Sequence, residues 1–399
     1  MSDSVAVIGG GPAGLMAADI LSAAGQRVVV YERMQSVGRK LLMAGRGGLN
    51  LTHSEPFERF VTRYRETAPQ LEPILKAFTP DDLVGWANGL GAETFIGSSG
   101  RVFPKAMKAS PLLRAMLGRL RDQGVEFQPS TQWTGWDEEG ALTFASSPPQ
   151  HHCAVLLALG GASWPKLGSD GGWRDILATR GVGLAPFKPS NVGFNVAWSE
   201  PMRRFAGEPL KNVAIRFGDE IVHGEMIVTD YGLEGGALYA LSAPLRDAAP
   251  AQIEIDLRPR NTHADLEVKL ADAKRGGSLA STLRKQLNLS PLAISLLREN
   301  GKPPTEPHAL ARLIKAVPLT LAAPRGLDRA ISTAGGVRWD AVDATLQLRA
   351  IPNVYVAGEM LDWEAPTGGY LLQACFATGV WAARAILEQA RALAAPGAR

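Results

Sequence analysis

The stretch VAVIGGGPAGLMAADILSAAGQRVVVYE, residues 5–32, leaves few folds open. VAVI is a short apolar run of the kind that forms a parallel strand covered on both faces. GGGPAG then sets Gly9, Gly11 and Gly14 in G-x-G-x-x-G spacing. MAADILSAAG predicts a helix with Gly25 as its stop signal, and RVVVYE a second strand ending on Glu32, followed by Arg33. Each part has a physical task. Gly9 permits the tight turn, Gly11 lets a pyrophosphate approach the backbone, and Gly14 lets helix and strand pack closely. The helix start, around Pro12 and Ala13, supplies a partial positive charge. Glu32 stands 18 residues after Gly14, where a carboxylate accepts from a ribose hydroxyl. Strand, glycines, helix, strand and acid in this order predict a doubly wound, Rossmann-like α/β domain that binds a dinucleotide.

The kind of dinucleotide is set further along. A polar, glycine-rich stretch, 33–54, comes after the second strand, and its sequence VGRKLLMAGRGGLNLTH reads as a loop rather than a helix. Arg39 and Lys40 offer a guanidinium fork and a point charge to a diphosphate. Asn50 can donate an amide hydrogen bond to a flavin edge, and Thr52 can cap the next segment. Far downstream, IPNVYVAGEMLDWEAPTGGYLLQACFATG (351–379) predicts a strand running up to Glu359 and a glycine pair opening a long helix from about Gly369 to Leu393. Two helix starts, one from each end of the chain, converging on one cofactor is the arrangement expected for FAD. No second G-x-G-x-x-G occurs, so NAD(P)H is expected as a transient co-substrate without a nucleotide-binding domain of its own.

Composition removes other classes. Of 399 residues 46% are hydrophobic and 20% charged, ordinary for a globular protein with two or three cores. Two cysteines, Cys153 and Cys375, cannot build a disulfide framework, and Cys375 is expected to act as a buried small hydrophobe. Neither a signal peptide nor an apolar run of membrane-spanning length is read, so the expected location is cytoplasmic with no membrane. No metal site is expected: His151 and His152 are adjacent, and His53, His223, His263 and His308 are scattered.

The expected organisation is a discontinuous FAD-binding domain, 1–190 and 331–399, with an inserted β domain at 191–260 and a helical subdomain at 261–330. Trp133 is a candidate neighbour of the adenine. Charge is uneven: residues 97–121 hold six Lys/Arg and no acid, and residues 274–329 hold ten Lys/Arg against three acids, net +7. Such a basic segment is one that RNA could use, although aromatic residues are not interleaved with it.

Four segments carry a resemblance to a known family: GGGPAGLMAA with YERMQSVGRKLLMAGRGGLNLTH; GRVFPKAMKAS (100–110); AVLLALGGASWPKLGSDGGW (154–173); and ISTAGGV (331–337) with VYVAGEMLDWEAPTGGY. The chain resembles the BaiN-type NAD(P)/FAD-dependent flavoproteins, some of whose members are called aminoacetone oxidases. It looks like a divergent branch. Leu49 stands where relatives often carry cysteine, Leu371 replaces an asparagine, and TDYGLEGGAL (229–238) departs from the usual mid-chain motif. The resemblance implies that Gly45, Asn50, Leu51, Gly160, Gly358, Glu359, Gly369, Tyr370 and Leu371 also meet the cofactor. It implies NAD(P)H-supplied hydride transfer to an electron-poor C=C or C=N. It brings three alternatives: uridine reduction in ribosomal RNA, oxidation of a small amine, and a non-catalytic flavoprotein. The proton donor is unassigned, with His53 and Tyr370 as candidates, and the oligomeric state is open.

Overall fold

The computed structural model describes residues 4–45, 47–272 and 278–394. The chain forms two compact units, Met1–Lys188 with Ser332–Arg399, and Pro189–Ile331.

The first unit is built on a five-stranded parallel sheet. Strand β1, Ser4–Ile8, is buried throughout. Helix α1, Pro12–Ala23, starts with proline in its first turn, where the missing N–H costs nothing. It stops where Gly25 turns left-handed at φ 83°. Strand β2, Arg27–Glu32, comes next. The sheet is completed by β3, Glu126–Pro129, β4, Ala154–Leu157, and β5, Val354–Val356. Their order is β5-β4-β1-β2-β3, and every neighbouring pair is parallel. The chain thus leaves β1 toward β2 and returns on its other side to β4. That reversal makes a switch point, and the crevice beyond the strand ends at such a point is where open α/β sheets hold ligands. The 25-residue helix α3, Tyr370–Ala394, packs along α1 in the same core. Its most apolar 18-residue window has a mean hydropathy of 1.3, enough to cross a membrane by length and composition, and 61% of that window is buried inside the protein.

One expectation changes here. The stretch after β2 is not all loop: Arg39–Ala44 forms a short helix, α2. Its sequence RKLLMA consists wholly of good helix formers, which outweighs the flanking glycines. Gly38, at φ 71°, turns the chain into it, and Leu41, 2% exposed, anchors it.

The second unit has a six-stranded sheet in the order Phe194–Asn195, Gly232–Glu234, Glu220–Val228, Pro209–Phe217, Ala251–Asp256, Val317–Leu321. All its pairings are antiparallel. The helices His263–Ala271, Leu279–Leu287, Pro291–Leu296 and Pro307–Lys315 bury their leucines in the same core as this sheet. The stretches 191–260 and 261–330, separated on sequence grounds, therefore belong to one unit. The physical reason is size. Helices of six to nine residues cannot make a core of their own, and strand Val317–Leu321 returns the chain to the sheet.

Candidate cofactor-binding site

A cleft opens beyond the carboxyl ends of β1, β2, β4 and β5. Gly9, Gly11, Pro12 and Ala13 line it after β1; Glu32 and Arg33 after β2; Gly160 after β4; and Gly358 and Glu359 after β5. Gly9 holds φ 107°, and a Cβ there would lie 2.4 Å from the Ala158 carbonyl oxygen. A Cβ on Gly14 would lie 2.1 Å from the Gly9 oxygen. Gly14 thus stays out of the cleft and brings α1 against β1. Nothing lies within 4 Å of where a Gly11 Cβ would point, so the space beside the start of α1 is open.

Glu32 is held in place at the end of β2. Its two oxygens accept from the Gly10 N–H (3.0 Å) and the Met34 N–H (2.9 Å), which fixes the carboxylate plane at the end of β2. Burial raises its pKa, against the pull of those two N–H groups and of Arg33 and Arg39. Arg33 is tied to Asp170 at 2.6 Å on the cleft wall. Lys40 is pulled toward the other end. Its ammonium donates to Glu359 at 2.5 Å and to Ser163 at 2.8 Å. Glu359 in turn accepts from the Thr333 N–H at 2.9 Å. The Lys40 charge expected along a diphosphate is therefore partly neutralised by Glu359, while Arg39 retains a buried Nε with no partner.

Unsatisfied atoms test whether FAD fits. A buried polar atom without a partner costs about 1–3 kcal/mol, so each asks for an occupant. Arg39 Nε, Asn50 Oδ1, Thr52 Oγ1 and Trp133 Nε1 are all buried without a hydrogen-bond partner. Trp133 lines the cleft next to Thr131 and Gln132, and its ring is held edge-on to Trp136 at 4.9 Å. Asp19 and Gln373 each also leave one oxygen unpaired, but their other atoms are bound in the core. Arg39 and Trp133 line the cleft, while Asn50 and Thr52 do not lie on its wall; a guanidinium at the α2 start and an indole N–H beside Gln132 suit a long, mixed polar-aromatic molecule. The residues fit FAD.

Other expected residues are placed away from the cleft wall. Leu51 is fully buried, with its N–H donating to the Val102 carbonyl at 2.9 Å. Gly45 ends α2, and a Cβ there would meet Ala109 at 2.7 Å. Gly369 abuts the backbone of Thr52, where a Cβ would lie 2.5 Å away, and Leu371 packs against the core. Tyr370 and His53 stack at 5.5 Å. The Tyr370 hydroxyl donates to Glu55 at 2.5 Å, and Arg63 clamps the same carboxylate through two nitrogens at 2.9 and 2.6 Å. His53 Nδ1 accepts from the Glu55 N–H at 3.1 Å, so Nε2 carries the proton and donates to the Ser99 carbonyl at 3.0 Å. Burial lowers the His53 pKa; burial and Glu55 raise that of Tyr370. Both rings are thus bound into a strut. Cys375 lines the cleft floor with its thiol pushed up to about 12 by burial, hence protonated.

Sequence reasoning did not weigh Ser163, Ser169, Asp170 and Trp173. Ser169, Asp170 and Trp173 line the cleft, Ser163 binds Lys40, and the Trp173 indole donates to the Gly160 carbonyl at 2.8 Å. The signal available was SDGGW, a turn-rich run closing on a tryptophan just after β4.

A family model described as the HI0933-like protein Rossmann domain matches residues 3–385. The chain is 29% identical to a 3-dehydro-bile acid delta(4,6)-reductase of Clostridium scindens, over 96% of this chain and 99% of that protein. It is 24% identical to a ribosomal RNA dihydrouridine synthase of Escherichia coli, over 92% of this chain and 94% of the relative. Among solved structures, a flavocytochrome c3 fumarate reductase in its open conformation superposes with a TM-score of 0.53 at 16% identity, covering 97% of this chain and 78% of that one. The 3-ketosteroid delta1-dehydrogenase of Sterolibacterium denitrificans does so at 0.52 and 12% identity, covering 97% and 100%. At these identities the structures speak for the fold.

Proposed function

The chain belongs to the HI0933-like Rossmann family and is an FAD-dependent oxidoreductase, and from that premise we propose that it reduces an electron-poor C=C bond of a small, enone-like molecule, with NAD(P)H as the donor. The observation that carries this reading is the cleft itself, with Glu32, Arg39 and Trp133 spaced along it and buried polar atoms awaiting a partner. The bile-acid reductase is similar along nearly its whole length, and its name describes reduction of conjugated double bonds.

Bound FAD would supply a hydride acceptor and donor between nicotinamide and substrate. The protein's share is placement and electrostatics. Glu32, held by two N–H groups, would accept from the adenosine ribose, and the open start of α1 at Gly11 would take the diphosphate. Trp133 would offer its indole N–H and ring to the adenine side. Arg39 would give its free Nε to the phosphates. Glu359, fixed by Lys40 and Thr333, would accept from hydroxyls near the flavin end. Thr52, in the short strand Thr52–His53 whose backbone abuts Gly369, and Asn50 before it would meet the flavin ring, where a side chain at Gly369 would have no room.

A second reading shares this chemistry, because the C5=C6 bond of uracil is conjugated to a carbonyl just as an enone is. Two relatives named ribosomal RNA dihydrouridine synthase favour it. The basic segment 274–329 supports it less than its net charge suggests. Lys315 is paired with Asp256 at 2.6 Å, and Arg325 lies over Tyr231 at 4.5 Å. Lys274 and Arg275 lie outside the described residues.

The test is anaerobic. Purified protein should be yellow, release FAD on denaturation, and bleach on addition of NADPH or NADH. A reduced sample should recolour when given a 3-keto-4-ene steroid, and an rRNA fragment offered alongside identifies the second reading by nucleoside mass spectrometry. Protein that neither holds nor takes up FAD, or that neither nicotinamide bleaches, would sink the proposal.

A further inference from the structure

In the second unit, two helices far apart in sequence bring three ligand-type side chains to one point. Thr262 caps helix His263–Ala271 through a reciprocal box with Asp265, which places His263 in its first turn. Glu267 stands four residues on, on the same face. Glu306 caps helix Pro307–Lys315 by accepting from the His308 and Ala309 N–H groups, which sets His308 in that helix's first turn. Buried Leu266, Leu270, Leu310 and Ile314 help seat the two helices in one core. His263 Nδ1 lies 3.7 Å and His308 Nδ1 3.2 Å from the same oxygen, Glu267 Oε2. One ligand atom from each of the three residues lies within 4.8 Å of the others.

We propose that His263, Glu267 and His308 form a binding site for a divalent first-row transition cation, zinc foremost, with water at the fourth position. The spacing fits. A tetrahedral zinc with bonds near 2.0–2.1 Å separates its ligand atoms by about 3.3 Å, so a small ring rotation closes the set. The ligand chemistry fits too: two imidazoles and one carboxylate suit zinc and its neighbours better than calcium or magnesium. The decisive detail is on His263. Its Nε2 lies 3.2 Å from the His308 carbonyl oxygen. Donation there leaves the Nδ1 lone pair free, which is the outer hydrogen bond that ligating histidines ordinarily make. The rings stand edge-to-face at 4.6 Å, so they converge rather than stack flat. By contrast, His152 has both nitrogens engaged, by Ser4 and Tyr31. Bound metal would pin one helix to the other, making this a structural clip independent of the flavin cleft.

Untagged, FAD-loaded full-length protein is stripped with chelator and titrated calorimetrically with zinc chloride. One equivalent should bind. Glu267→Gln, which keeps the shape, and His308→Ala should each weaken binding at least tenfold, while His223→Ala binds as wild type. Zinc but not magnesium should raise the thermal midpoint, and Glu267→Gln should lose that rise. A cooperative melting transition of the second unit, measured without zinc, certifies that a variant is folded. Absence of saturable zinc binding, or binding equally tight in Glu267→Gln and wild type, overturns the site.

Discussion

Glycines 11 and 14 look alike in the sequence and do opposite work in the structure, which makes them a sharp test of the site. Gly11→Leu meets nothing in the protein and fills the space beside α1, so the variant should fold, at a capping cost of about 1 kcal/mol, yet elute colourless. Gly14→Ala would push a methyl to 2.1 Å from the Gly9 oxygen, an overpacking worth about 1–3 kcal/mol or more, and should lower the denaturant midpoint whether or not FAD is present. Colour retained in the first, or unchanged stability in the second, would show that their roles are misassigned. Trp133→Phe probes the far end: it keeps an aromatic ring, though a smaller one, and deletes the unpartnered N–H. One net hydrogen bond of about 0.5–1.5 kcal/mol predicts FAD release about two- to tenfold easier, measured by fluorescence of freed flavin. At this scale the motif was legible because spacing alone sets what Gly9, Gly11, Gly14 and Glu32 meet. Ser163 and Asp170 were not, because their partners Lys40 and Arg33 lie more than 120 residues away.

Between residue and molecule stands the strut that ties the loop before helix Phe57–Thr62 to the first residue of α3. Glu55 is its centre, receiving Arg63 by two bonds and the Tyr370 hydroxyl by one. Burial raises the Glu55 pKa, but the bonds from Arg63 and Tyr370 outweigh it and hold the carboxyl below its ordinary value. The sign comes from linkage: a carboxyl depressed in the folded state adds stability above its unfolded pKa of about 4.3, and that stability is lost as pH falls through the lower folded value. Glu55→Gln should therefore be less stable at neutral pH and show a flatter decline below about pH 4.3. Urea midpoints from pH 7 to 3 would read this, and parallel declines in the two proteins would count against it. Tyr370→Phe removes one charge-assisted bond, about 1.5–3 kcal/mol. If the tyrosine is part of the strut rather than a proton donor, the variant's reduced form should still hand its hydride on at a similar rate. Helix α2 shows the limit of reading at this level: glycine density suggested a loop, while six consecutive helix formers, RKLLMA, decided the matter.

For the whole molecule, the parallel half could be read from periodicity and the second unit only in part. The strands AQIEIDL and EIVHGEMIV stand out by alternation, but Val317–Leu321 pairs with Ala251–Asp256 across more than 60 residues, and nothing local marks that return. The consequence is a thermodynamic one. Each unit has its own hydrophobic core, residues of β1, α1 and α3 in one and the antiparallel sheet with its short helices in the other. The first is discontinuous in sequence and needs both chain ends; the second is one continuous stretch, 189–331. Two cores of this kind need not melt as one, and a ligand that binds a single folded core raises only that core's transition. At a hundredfold excess over its dissociation constant, FAD should stabilise the first unit by about 2.7 kcal/mol. Calorimetry of apo and FAD-loaded protein should thus show two transitions, of which FAD moves one. Residues 189–331 expressed alone should melt cooperatively at the transition that FAD leaves in place. A single transition shifted whole by FAD, or an excised segment without cooperative melting, would mean that the second unit's sheet depends on the parallel half for its stability.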